Sequence, residues 1–174
     1  MDYKTKPVSR KHLRVYAQVL RKLFDVPQDG PFPVLTALEK IGDYFEGCSF
    51  LVVKDRSLPK QTPARCVAND DGGFTIEIKQ SVYDGAFERH VGAYLGFICH
   101  EICHIFLFSI GYRPLYERSF ANNILPAYCS VEWQAKALSG EVMIPYRESH
   151  GMGRDEIMKT YHVSKGFAKT RIRL

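Results

Sequence analysis

The sequence predicts an α+β fold: helices at the N-terminus, a small antiparallel or mixed sheet, two longer helices and a short helical tail. Three observations predict it. Apolar residues recur at helical spacing through residues 9–24. ARCVA and FTIEIK, separated by the turn NDDGG, read as a hairpin. Residues 91–112 form a long apolar run that stops near Gly111.

Each element has its own justification. Leu13, Tyr16, Ala17, Leu20 and Phe24 stripe a surface helix, with Arg and Lys between them. Leu35, Leu38, Ile41 and Tyr44 stripe a second, short helix over 33–45. SFLVV at 49–53 reads as a strand, and DRSLPKQTP at 55–63 as a loop. In FTIEIK, Phe74, Ile76 and Ile78 alternate with Thr75, Glu77 and Lys79, the pattern of a half-buried strand. A long helix is expected over 86–110, with Asp84 as its N-cap and Gly111 at its end. Residues 112–128 look irregular. A helix follows over 130–143 and stops before Pro145, and the tail holds two short helices, near 155–161 and from Ser164 onward.

With 174 residues, 45% hydrophobic and 25% charged, the chain can build one domain that buries roughly 70% of its unfolded surface. Within 1–174 the expected parts are N-terminal helices (1–47), the sheet (48–80), the two long helices (81–145) and the tail (146–174). A net charge of +5 is too small to imply nucleic-acid binding by itself. The polar, basic start MDYKTKPVSRKHLR is not a secretory signal, and five cysteines without framework spacing fit reduced thiols, so a cytoplasmic location is expected. The 91–112 run is about long enough to cross a bilayer, but it carries two His and a Glu with no second apolar segment to shield them. It is expected to be a buried helix, with no membrane involved.

That helix carries CHEICH. His100 and His104, four apart, project from one face with Glu101 beside them. This H-E-x-x-H spacing suits a catalytic zinc ion: two imidazoles bind, and the carboxylate works as a base instead of binding. Gly92, Gly96, Cys99 and Cys103 form a separate stripe of small residues along which another backbone can come close. Cysteines four apart on one helix bridge poorly, and the helix cannot turn all four side chains to one ion, so packing is their expected role. A zinc site needs a third protein ligand. In EWQAKALSGEVMIP, Glu132, Ala135 and Ser139 share a face, so a carboxylate precedes small residues that allow close helix packing. Glu132 is the expected third ligand.

Together, FICHEICHIFL and EWQAKALSGEVMIP resemble the ImmA/IrrE family of zinc metallopeptidases, whose motifs read approximately H-E-L-G-H and E-x-Q-A-N/D-x-F-A-x-x-L-L-M-P. His100, Glu101 and His104 match the first; Glu132, Gln134, Ala135, Ala137, Glu141 and Pro145 fall along the second. The resemblance implies a zincin-like domain, Zn2+ held by His100, His104 and Glu132, and Glu101 as general base. It also implies a protein substrate, a helix-turn-helix transcriptional repressor of a prophage or mobile element. The chain departs from the pattern at Cys103 (family Gly), Leu138 and Ser139 (Phe and Ala) and Lys136 (Asn or Asp). If that last position supports a ligand, metal affinity or activity would fall by about 10- to 100-fold.

Sequence proximity makes Tyr128, Tyr146, His150 and Arg113 candidates for stabilising an oxyanion. If FTIEI lies at a sheet edge over the cleft, it could pair with an extended substrate segment. In the tail, Lys165, Lys169, Arg171 and Arg173 surround Phe167 and Ile172. This pattern fits either a solvated helix closing the domain or a fragment that touches DNA or a repressor. A non-catalytic regulatory or DNA-binding module with a vestigial metal site is therefore the alternative function.

Overall fold

A computed structural model describes residues 2–70, 72–115 and 125–174; residues 116–124 of the irregular stretch lie outside it. The architecture is α+β. Helix α1 (Arg10–Leu23) begins where Ser9 Oγ accepts from the His12 N–H, and it buries Leu13, Ala17, Leu20 and Arg21. The Arg21 guanidinium is pushed below its ordinary pKa by burial, and it donates to the carbonyls of Pro27, Gly30 and Val142, which ties α1 to the end of the sixth helix.

The helix expected over 33–45 is two helices, α2 (Val34–Glu39) and α3 (Ile41–Tyr44), joined at Lys40. The bend keeps both Leu38 and Ile41 in the core. It also brings Gly42 to where a Cβ would meet the Cys48 carbonyl at 2.9 Å.

Strands β1 (Ser49–Val53), β2 (Ala64–Ala68) and β3 (Phe74–Lys79) form one mixed sheet in the order β1-β3-β2. The expected hairpin is present, with Cys66 opposite Ile76. However, β3 is not the sheet edge that the sequence suggested. β1 returns parallel on its other side, with Phe50 opposite Ile76. Its Ile76 and Ile78 are fully buried, and β1 and β2 are the edge strands instead.

The single helix expected over 86–110 is also two: α4 (Gln80–Arg89) and α5 (Gly92–Ser109). Asp84 is not an N-cap. It lies inside α4 and accepts from Gln80 Nε2 at 2.7 Å. His90, in the left-handed conformation at φ 50°, ends α4 and redirects the chain. Gly111, at φ 87°, follows the end of α5. Helix α6 (Val131–Met143) starts at Ser130, whose Oγ accepts from the Trp133 N–H at 2.8 Å. Helices α7 (Arg154–Tyr161) and α8 (Lys165–Ile172) close the chain, the latter capped by Ser164.

One hydrophobic cluster runs from Val8 to Ala168 and draws on the sheet and on helices from both ends of the chain. By length and composition alone α5 could cross a membrane, but 56% of it is buried within the fold. Along its small stripe another backbone does come close, at Gly92, and a ring packs at Gly96. Gly92 admits the α7–α8 turn, where a Cβ would meet Ser164 N at 2.7 Å, and Gly96 admits the Phe167 ring at 2.6 Å. The partner of these two glycines is thus the tail, not α6.

Candidate metal centre

Two helices build the centre. From α5, His100 and His104 bring their Nε2 atoms to 3.0 Å, with their rings nearly perpendicular. From the first turn of α6, Glu132 sets Oε2 at 3.2 Å from His100 Nε2 and Oε1 at 3.5 Å from His104 Nε2. One ligand atom from each of the three residues lies within 4.8 Å of the others. The donor set fits a divalent ion: tetrahedral ligands at zinc distances stand about 3.3 Å apart. Hydrogen bonds from His100 and His104 hold the Glu132 carboxyl far below the usual carboxylate range.

Glu101 occupies the next position on α5, 8% exposed, outside the ligand group. Burial pushes its carboxyl up, against the opposing pull of the two histidines and of the Cys66 backbone N–H. That N–H is available because of the register. Pro63 and Asn69 bond to β3, so the alternate residues Ala64, Cys66 and Ala68 turn their backbone groups to the open edge. Edge strand, Glu101, both histidines and Glu132 line one cleft of about 960 Å³.

Cys99 and Cys103 are fully buried, unbridged and not among the ligands. Burial, with Cys99 as neighbour, pushes the Cys103 thiol well up, as suits a packing role. None of Tyr128, Tyr146, His150 and Arg113 lines the cleft. Tyr146 lies under the Arg14 guanidinium and beside His150, and Arg113 donates to the Phe108 carbonyl. The tail's basic residues divide: Lys165, Lys169 and Arg173 are exposed, whereas Arg171 is buried against Glu141 at 2.9 Å.

The sequence reading missed Asp2. Its Oδ1 accepts from the Glu132 N–H at 3.2 Å and its Oδ2 from Ser130 Oγ at 2.5 Å, which fixes the turn that presents the ligand. The neighbouring backbone helps, with Val131 N–H donating to the Tyr3 carbonyl. No local pattern signals these contacts. His104 Nδ1 is buried without a hydrogen-bond partner among the described residues, so the outer support usual for a metal-binding imidazole is not provided there. No family model matches the sequence, and neither does any curated protein.

Proposed function

We propose that the protein is a zinc-dependent endopeptidase of the ImmA/IrrE type, with a zincin-like, cytoplasmic domain. Its proposed substrate is a helix-turn-helix repressor of a prophage or mobile element. The observation that carries this is the convergence of His100, His104 and Glu132, whose ligand atoms stand 3.0, 3.2 and 3.5 Å apart, beside the buried, non-ligating carboxyl of Glu101.

His100, His104 and Glu132 would hold the ion. When bound, zinc supplies Lewis acidity, lowering the pKa of water and polarising a carbonyl. Glu101, raised in pKa by burial, takes the proton of the attacking water and passes it to the leaving amine. The open edge of β2 holds substrate by strand pairing, through the backbone of Ala64 and Ala68 on either side of Cys66. Such pairing requires an extended segment and excludes a folded helix.

The unsupported His104 Nδ1 favours a second reading, a regulator whose metal site is vestigial. One experiment separates the two. Purified protein is reconstituted with zinc, analysed for metal, and incubated with candidate repressors as wild type and as Glu101→Gln. About one zinc per chain, and repressor cleavage that the substitution abolishes, supports the peptidase. Failure to hold metal overturns it, and a regulatory effect untouched by Glu101→Gln supports the second reading.

A further inference from the structure

A second cavity, of about 470 Å³, shares only Lys136 and Phe167 with the metal cleft. Arg10, Lys136 and Arg171 line it together with Trp133, Phe167 and Leu174, and no Asp or Glu side chain lines it among the described residues. Behind its wall, the buried Glu141 receives Arg171 Nη2 at 2.9 Å and Arg10 Nη1 and Arg14 Nε at 3.5 Å each. Three guanidiniums thus face one carboxylate, and the region keeps an excess of positive charge before Lys136 is counted.

Two details indicate that the excess is for binding. The Arg171 side chain is only 5% exposed, yet its Nε and Nη1 have no hydrogen-bond partner among the described residues. Buried charged donors of this kind are ordinarily paired. In addition, Arg10 lies over the Trp133 ring at 5.4 Å, which holds a cation on an aromatic wall. Lys136 is exposed and no described carboxylate pairs with it. Apolar Ala137 and Ile144 complete one side. The volume lies in the range of small-molecule sites, in which a few polar groups orient a mostly apolar ligand.

We propose that this cavity binds a small organic anion: a carboxylate or phosphate head held by Arg10, Lys136 and Arg171, on a flat apolar body packed against Trp133 and Phe167. An inorganic anion would leave the aromatic wall unused. The site contains no metal ligand, so the proposal stands or falls separately from the peptidase. Since Lys136 and Phe167 belong to both cavities, an occupant also braces one wall of the cleft.

Trp133 is the only tryptophan in the chain, so its emission reports on this cavity. The full chain, both chelator-stripped and zinc-loaded, would be titrated at constant ionic strength with phenyl phosphate, benzoate and uncharged phenol. The expected result is a saturable change with at least one anion and not with phenol, present in both forms and roughly tenfold weaker in Lys136→Gln and in Arg10→Gln. A response to phenyl phosphate alone identifies a phosphate head, and one to benzoate alone a carboxylate. The proposal is overturned by no saturable response, by an equal response to phenol, by unchanged binding in both variants, or by a response that disappears on metal removal.

Discussion

Glu101 and Cys66 line the same cleft, and the Cys66 backbone N–H draws the buried Glu101 carboxyl downward in pKa, so the proposed general base faces the strand proposed to hold substrate. Glutamine keeps the accepting oxygen but cannot take a proton. Glu101→Gln is therefore expected to retain zinc and the fold while kcat falls by about 10²- to 10⁴-fold. Metal analysis beside single-turnover cleavage checks both halves; undiminished cleavage would remove Glu101 from the mechanism.

Asp2 acts on the centre through Glu132. Asp2→Ala frees the Glu132 N–H and the Ser130 hydroxyl at the start of α6. Zinc affinity should fall by about 10- to 100-fold, as for other groups that orient a ligand. Competition with a chromophoric chelator measures it, and Asp2→Asn should recover part of the loss because its amide oxygen still accepts. An unchanged affinity in Asp2→Ala would show that Glu132 needs no such support.

The two glycines that admit the tail should differ in tolerance. A methyl at Gly92 meets backbone atoms of Val163 and Ser164, which cannot swing away, whereas one at Gly96 meets the edge of the Phe167 ring. Gly96, inside α5, gains about 1 kcal/mol of helix propensity, and Gly92, its first residue, gains less. After that gain, Gly92→Ala should still destabilise by about 1–3 kcal/mol, and Gly96→Ala by less. Urea unfolding of the two variants gives the order directly.

The Tyr112 hydroxyl is pushed up to about 12 by burial and by its 3.1 Å hydrogen bond with Tyr16. A folded-state pKa above the unfolded value of about 10 adds stability that is complete below about pH 10 and is lost as pH rises through about 12. Denaturant midpoints measured across that window should fall with pH in the wild type and fall less steeply in Tyr112→Phe. Equal slopes would mean that another group governs alkaline unfolding.

Local patterns were legible in the sequence where the cause is local. Helical periodicity put His100 and His104 on one face, alternation marked β3, and Ser164 was a readable cap because it bonds within its own first turn. Glu132 was legible because small residues behind it permit two helices to approach. What escaped depends on distant partners. β3 is central only because β1 returns parallel to it, which alternation within β3 does not encode. The break at His90 has no glycine or proline at the turning residue, and the docking of the tail on Gly92 makes a redirected α5 fit. Arg171 looked solvated among other basic residues until Glu141 on α6 received it.

The bond between Asp2 and Glu132 spans 130 residues. A ribosome releases Asp2 first, the two histidines much later and the third ligand later still. A nascent chain that has reached Ser109 owns both imidazoles but neither the carboxylate nor the turn that aims it. The candidate metal centre can consequently form only after Glu132 has been made, and a truncated product ending before Ser130 would be born without its third ligand.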